Sequence, residues 1–385
     1  MARLTRAQQQ GRTRAAVLDA ARREFAERGY AEAKIDRIAD RAELTRGAVY
    51  SNFTGKRALY LAVLGDLADR ARTAAEPPAV PPGSTGPALG AFARVWLERL
   101  PLGADTPGSG RLQLRSLTGV LETEPSRAAL AEILRFEAVL LALALEHHAP
   151  DGARRVRLAE LTLTLLHGAA ALAENAPGVG DPFDLARAAE HLASLPLADD
   201  AAFPHLPFVA PARSARDPWS PPSAVRDELT GRQVALAEDG VVVALGVRRL
   251  SAAEEAVRSA APGDAVTVVV VTDGPDEAGQ LARLRVIDLV ASLRRVFPPG
   301  ELPALRVVFD EGDEGAGGGD GGTVSAALGH PVPDDLTETA VRVRDGLVVA
   351  RAEGRGAGYA VAATELRGAG GARAGSGSGS GATEE

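Results

Sequence analysis

No cysteine occurs among the 385 residues. That excludes disulfides, thiolate metal sites, iron–sulfur clusters and thiol catalysis. The one methionine is Met1, so no internal thioether is available as an oxidation switch. Aromatic residues make up only 4% of the chain while hydrophobic residues make up 45%, so the core must be built from Ala, Leu and Val, a composition that suits helices. No stretch supplies the ~20 uninterrupted apolar residues of a membrane span. The opening residues, Met1 to Gln10, lack the apolar segment of a signal peptide. The expectation is a cytoplasmic protein without a membrane partner.

What is present is unevenly distributed. The formal charge of -8 argues at first against a polyanion partner. Residues 1–60, however, hold 13 Lys+Arg against 7 Asp+Glu, a net of +6, and the remainder hold 30 against 44, a net of -14. A basic head on an acidic body points to polyanion binding at one end. The chain's two lysines, Lys34 and Lys56, both lie in that head.

Pro and Gly divide the chain. The pattern predicts a head at 1–60 continued by a helix at 56–75, a stiff connector at 75–88, a helical domain at 85–195, and a Pro-rich linker at 196–224. An α/β domain at 225–366 and a disordered Gly/Ala/Ser/Arg tail at 367–385 follow. Before the linker the period is helical throughout. Val17, Leu18, Ala21 and Phe25 make one face, stopped at Gly29; Phe92, Trp96, Leu97 and Leu100 make another. Helices are expected at 126–148 behind Ser126, at 153–174 with Leu158, Leu161, Leu165, Ala169 and Leu172, and at 182–195 behind the cap Asp181. After the linker the period changes. A hairpin is expected at 232–246 around Glu238-Asp239-Gly240, then a short helix at 251–260 and a strand at Ala265–Val271. A long helix at 277–296, a strand at Ala304–Phe309, a second hairpin turning at Arg344-Asp345-Gly346 and a helix near 357–366 complete the domain.

The informative segment is 11–60. Two short helices, 34–41 and 46–52, flank Ala42-Glu43-Leu44-Thr45. Ile35, Ile38, Ala39, Ala42, Leu44, Val49 and Phe53 are spaced to close a three-helix core with Phe25. This is helix-turn-helix spacing, with the second helix held so that its first residues can enter a major groove. Thr45 can cap that helix, and its hydroxyl and the helix N-terminus favour phosphate. Arg46 is placed to reach a base edge. Gly47 allows close backbone approach, and Tyr50, Ser51, Asn52 and Lys56 complete the candidate DNA-contacting set, with Tyr50 and Lys56 suited to phosphate.

The ordered residues Gly29-Tyr30, Ile35-x-x-Ile38-Ala39, Ala42-x-Leu44-Thr45-Arg46-Gly47-Ala48-Val49-Tyr50-x-x-Phe53-x-x-Lys56-x-x-Leu59 resemble the TetR/AcrR transcriptional regulators. The resemblance, with the helical pattern to about 195, covers half the chain. It implies an all-α amino-terminal half, a double-stranded operator of palindromic form, a homodimer through the helices at 153–174 and 182–195, and a small-molecule effector pocket in the second helical domain. Trp96, Leu100, Leu117, Phe136, Glu137, Leu140 and His167 are the candidates for lining that pocket, with a core or surface role as the alternative for Trp96, Phe136 and Glu137. Three positions depart from the family pattern. Ala33-Lys34 stands where a capping threonine is usual, so Lys34 is expected to touch phosphate instead. Glu43 occupies a turn position often held by glycine, and Asn52 replaces an aromatic residue or histidine.

The histidines His147, His148, His167 and His191 lack ligand spacing with carboxylates, so no metal is expected. The run Asp310–Asp320 lacks the spacing of a calcium loop. No phosphate loop, dinucleotide fingerprint or nucleophile elbow occurs, so no catalytic residue, cofactor or enzymatic activity is expected. The element order of the C-terminal half is similar to thioredoxin-like folds, with Asp273-Gly274-Pro275-Asp276 where those carry a redox dithiol. The functional expectation is a ligand-released repressor. The alternative is a protein whose α/β domain is an enzyme or interaction module addressed to DNA by its head.

Overall fold

The computed structural model describes residues 6–98, 124–148, 152–176, 178–200, 203–272, 277–310 and 322–364. Leu100, Leu117, the tetrapeptide at 273–276, most of the acidic Gly-rich run and the tail at 367–385 lie outside the described residues. The chain divides into two compact units that do not follow chain order. One comprises 1–201, 228–232 and 272–304; the other comprises 202–227, 233–271 and 305–385.

The first unit is helical. It contains α1 (Arg6–Glu32), α2 (Ile35–Arg41), α3 (Arg46–Tyr50), α4 (Lys56–Thr73), α5 (Thr85–Leu97), α6 (Glu124–Glu146), α7 (Val156–Asn175) and α8 (Pro182–Leu192). Gly29 (φ 73°, ψ 172°) breaks α1 in the left-handed region that the sequence pattern required of it. Asp181 accepts the Phe183 N–H at the start of α8, with Pro182 in its first turn. Gly86 and Gly90, one turn apart on α5, face Glu190 of α8; a Cβ at Gly90 would stand 3.0 Å from the Glu190 carboxylate. These glycines let the two helices approach closely.

The second unit is an α/β sheet. Counted along the chain, α9 is Ala253–Ser259, α11 is Val324–Ala327 and α12 is Ala357–Ala362. The strands are β1 (Arg213–Pro218), β2 (Val225–Arg226), β3 (Gln233–Val234), β4 (Gly240–Gly246), β5 (Ala265–Val271), β6 (Arg306–Phe309), β7 (Glu338–Arg344) and β8 (Leu347–Glu353). Six of them form one mixed sheet in the order β1-β8-β7-β4-β5-β6, parallel across β4-β5-β6 and antiparallel elsewhere. The hairpin at Asp345-Gly346 forms as expected. Both turn residues have positive φ (48° and 72°), as a tight two-residue connection requires.

The first expected hairpin does not form. β3 pairs with β2, and β4 pairs with β5 and β7 instead. β4 is buried at every residue, and a continuous apolar run belongs in the middle of a sheet covered on both faces, here between parallel β5 and antiparallel β7, rather than in a half-exposed hairpin. Gly240 and Gly246 terminate it where no Cβ fits: such a carbon would stand 2.2 Å from Ala265 O at the first and 2.3 Å from the Asp335 backbone at the second. Arg342, 2% exposed on β7, is held by Asp264 at 2.9 Å and donates to the carbonyls of Val361 and Ala362 at the end of α12.

The largest departure from the sequence pattern is α10 (Glu277–Leu293). It follows β5 and precedes β6, so the expected α/β domain at 225–366 would own it. Instead it is a member of the helical unit, packed along α4 and against α6 and α5. Its residues are buried on every face from Leu281 to Leu293 save Arg283, as a helix apolar all round must be. The thioredoxin likeness therefore stays one of element order, and the class is α/β. The short segment 228–232 joins the helical unit for an electrostatic reason. Arg72 in the last turn of α4, 1% exposed, donates to the Glu228 carbonyl (2.9 Å) and to the Glu228 carboxylate, and pairs with Asp69 at 2.5 Å. Arg283 of α10 approaches the other Glu228 oxygen at 3.3 Å. Burial pushes the Glu228 carboxyl above its ordinary range, opposed by Arg283 and Arg72.

Removing one member of such a buried ion pair strands the other. Arg72→Ala is expected to cost about 3–5 kcal/mol, measured as a shift in the denaturant midpoint of the full chain. A loss below about 1 kcal/mol would contradict the burial of this network.

Candidate nucleic-acid interface

The head is built on a small core. Val17, Ala21 and Phe25 of α1, Ile38 and Ala39 of α2, Val49 of α3, Phe53 and Leu59 are buried, while Ile35, Ala42 and Leu44 are half-buried. The turn between α2 and α3 closes with Leu44 N–H donating to Ala39 O and Ala42 N–H to Ile38 O. Glu43 takes positive φ (54°) there, a backbone conformation that favours glycine. The side chain of Thr45 accepts the Ala48 N–H, so the predicted cap of the reading helix forms. Lys34 precedes α2 without a side-chain cap bond.

Glu24, fully buried on α1, ties the scaffold electrostatically. Arg28, Arg37 and Arg41 place guanidinium nitrogens 3.4–3.5 Å from its carboxylate. Arg41 also pairs with Glu27, whose carboxyl is held below its ordinary range by that hydrogen bond. The arrangement fixes α2 against α1 by charge as well as by packing. The signal in the sequence was a glutamate on the apolar stripe beside Phe25, with an arginine one turn on; its partners on α2 could not be assigned without the fold.

The predicted contact residues divide into two groups. Lys34, Thr45, Arg46, Gly47, Tyr50 and Ser51 are exposed. A Cβ on Gly47 would meet nothing nearer than Thr45 Oγ1 at 3.9 Å, so this corner of α3 is open to a ligand backbone. Arg46 lies 3.3 Å from Asp36 and 5.6 Å from the Tyr50 ring. The hydrogen bond to Tyr50 and the charge of Asp36 raise its already high pKa. Asp36 is thus the acid that Arg46 faces across the turn.

The second group is used internally. Asn52 donates its side-chain amide to Ala48 O at 2.8 Å, closing the end of α3. Lys56 donates to Ala31 O at 2.9 Å and stands 4.8 Å over the Tyr30 ring, and burial lowers its pKa while Glu32 opposes the shift. Lys56 therefore holds the end of α1 against α4, a role that spacing alone did not suggest. Arg14, not among the candidates, donates to Asn52 O at 3.2 Å and covers the Phe53 ring at 4.5 Å.

Three of the candidates in the helical unit, Trp96, Glu137 and His167, lie in one contact chain with a residue that the sequence pattern did not include. Arg285 of α10 donates to Glu137 of α6 at 2.7 Å and to His167 Nε2 of α7 at 2.6 Å. His167 meets the Trp96 ring of α5 edge-on at 5.7 Å. Phe136 and Leu140 are fully buried. Burial disfavours the Arg285 charge, and Glu137, with Asp288 in support, more than offsets it. The sequence signal was an arginine on an otherwise apolar helix with Leu281, Leu284, Val286, Ile287 and Leu289 around it; its partners on α6 and α7 could not be assigned without the fold.

Residues 17–63 match the family described as bacterial regulatory proteins, tetR family. The amino-terminal domain is a TetR-family domain. The uncharacterized HTH-type transcriptional regulator TtgW of Pseudomonas putida is 45% identical over 64 residues, 17% of this chain and 47% of that protein. The chain thus spans about half the length of that curated relative. Two solved structures overlay on about half the chain. A TetR transcriptional regulator from Rhodococcus sp. RHA1 has 19% identity, 49% and 99% coverage of the two chains and a TM-score of 0.32. A TetR-family regulator from Pectobacterium atrosepticum has 26% identity, 50% and 93% coverage and a TM-score of 0.31. The TetR-family domain includes every contact candidate from Lys34 to Lys56 and ends inside α4.

Because the Glu43 side chain is exposed and its backbone left-handed, Glu43→Gly is expected to stabilise the full chain by about 0.5–1 kcal/mol. Chemical denaturation checks this; a loss of stability would contradict the strained turn.

Proposed function

We propose that the chain is a DNA-binding transcriptional regulator that occupies a palindromic operator as a homodimer, represses by that occupancy, and is released by a small-molecule effector. The observation that carries this reading is the Thr45-capped reading helix, with Arg46, Gly47 and Tyr50 exposed on a scaffold fixed by Glu24 and its arginines. Phosphate contacts set position and Arg46 reads a base edge. The basic head and acidic body fit the same division of labour.

Dimerisation is supported by an apolar stripe that the helical unit leaves open. Leu161 and Leu172 on α7 are 40% and 57% exposed, and Phe183 at the start of α8 is 74% exposed. A two-fold contact between such faces buries the same patch from both copies and sets two reading helices one helical turn or a multiple, about 34–36 Å, apart. The segment Val156–Ala173 is long and apolar enough to cross a membrane by composition. In this reading its open leucines meet a second copy, in the cytoplasm, rather than lipid.

The effector belongs at Trp96, Glu137 and His167, where Arg285 now bridges two helices. A ligand that takes over either partner of Arg285 would loosen α10 from α6 and α7 and, because α10 also packs along α4, alter the helix that leads from the head. Linkage then requires DNA to weaken the effector by the same factor. In this account the C-terminal half is a part of the switch and carries no catalysis of its own.

Fluorescence anisotropy with DNA from the protein's own upstream region tests the first claim. Specific binding is expected, with Arg46→Ala losing roughly tenfold in discrimination at one base pair, within the ~1–3 kcal/mol of a bidentate contact. No specific binding, or an unchanged Arg46→Ala profile, would overturn it. Truncation after residue 200 tests the second. Without α10 the faces of α4 and α6 are uncovered, so the fragment is expected to lose its cooperative thermal transition. A fragment that melts cooperatively and binds operator with full affinity would assign the C-terminal half a separate task.

A further inference from the structure

The head carries its excess charge outside its core. Residues 1–18 hold four arginines, Arg3, Arg6, Arg12 and Arg14, and no Asp or Glu, whereas residues 19–60 hold nine Lys or Arg against seven Asp or Glu. Four of the head's net six positive charges therefore precede Asp19. Within 19–60 the arginines are matched to acids. Arg22 and Arg23 pair with Asp19; Arg28, Arg37 and Arg41 with Glu24; Arg46 with Asp36; and Arg57 with Glu277. The match to the tetR family begins at residue 17, so that likeness does not account for the arginines before it.

The same segment outruns the core of the head. α1 starts at Arg6, but Val17 is its first buried residue among those described, and Gln10, Arg12, Arg14 and Ala16 are exposed. About three turns of helix precede Val17. Val17, Ala21 and Phe25 mark the face of α1 that the core covers. Carried back at the same three- or four-residue spacing, that face is occupied by Arg14, Gln10 and Arg6, while Arg12 falls on the other side of the helix. Arg14 fixes where this basic face lies. It donates to Asn52 O at 3.2 Å and covers the Phe53 ring at 4.5 Å, just past the end of the reading helix α3. From Arg14 back to Arg6 the helix rises about 12 Å, comparable to the width of a major groove.

We infer that the part of α1 before Val17 is a second DNA-contacting surface, in which Arg14 and Arg6 bind phosphates of the strand bordering the groove that α3 enters. The inference rests on the DNA-binding reading proposed above and adds to it a contact outside the reading helix. The occupant is the phosphate backbone, because the face is basic without a single acid in its segment and is continuous with α3 through Arg14. Gln10, between the two arginines, adds a neutral donor of a kind that phosphate contacts also use. Such contacts hold register and carry no sequence information. The surface therefore adds affinity equally at an operator and at unrelated DNA, and leaves discrimination to Arg46.

Fluorescence anisotropy of the full chain over a salt series tests this, with the duplex from the protein's own upstream region and a scrambled duplex of equal length. Arg6→Gln and Arg14→Gln are each expected to flatten the dependence of log Kd on log salt by about 0.9, equally on both duplexes. Arg14→Lys is expected to restore the slope, since it keeps the charge. Arg12→Gln removes the same charge from the other side of the helix and is expected to leave the slope unchanged. If specific binding persists and neither Arg6→Gln nor Arg14→Gln alters the slope, the inference is overturned while the regulatory reading stands, and Arg14 is a strut for α3 alone. Equal flattening by Arg12→Gln also overturns it, because the effect would then report net charge and not a face. Failure of the wild-type chain to bind either duplex overturns the DNA-binding reading and this inference with it. Arg6 lies three turns before the first buried residue of α1, so its variant decides the matter even if Arg14→Gln fails to fold.

Discussion

The packing of α10 along α4 is the constraint on which the rest of the helical unit depends. α4 begins at the reading head, with Lys56 bonded to the end of α1, and ends at Arg72, whose guanidinium is buried against Glu228. α10 accompanies it between those points, pairing Glu277 with Arg57 at 3.0 Å near one end and Arg283 with Glu228 at the other. Between them Arg285 reaches Glu137 and His167. Of these pairs only Arg285–Glu137 is buried on both sides, whereas Arg57–Glu277 is partly exposed and Arg283–Glu228 is buried on the glutamate side. Breaking the buried pair would strand a charge, and with the apolar face of α10 it binds a segment more than two hundred residues from the head to the body that supports it.

The chain's path makes this more than a packing detail. α10 is the crossover between β5 and β6, neighbouring parallel strands of the sheet. Both its ends are therefore tied to the α/β unit while its length belongs to the helical one. The chain thus passes from the strands of the α/β unit directly into the helix that packs along α4. The proposed effector cluster lies on that route, because Arg285 is the α10 residue that joins α6 to α7.

Local patterns were legible in the sequence, and contacts between distant segments were not. The head was readable because its core lies between Val17 and Leu59, and Thr45, Gly29 and Asp181 act on neighbours a few positions away. The turn at Asp345-Gly346 is equally local. β4 was misjudged as half of a hairpin because an apolar run of seven residues has the same appearance in a central parallel strand. The sheet unit begins at 202, and 228–232 and 272–304 return to the helices. Only Arg285, a charged residue on a largely apolar helix, hinted at it. Trp96, Glu137 and His167 were found as candidates, yet the arginine that unites them could not be.

Hydrogen–deuterium exchange on the intact chain tests the central claim most directly. If α10 is a structural member of the helical unit, amides in 277–293 should exchange with the same opening free energy as those of α4 and α6, and Arg285→Gln should accelerate all three together. Exchange of α10 in step with β4 and β5, with α4 and α6 unaffected by Arg285→Gln, would contradict the account.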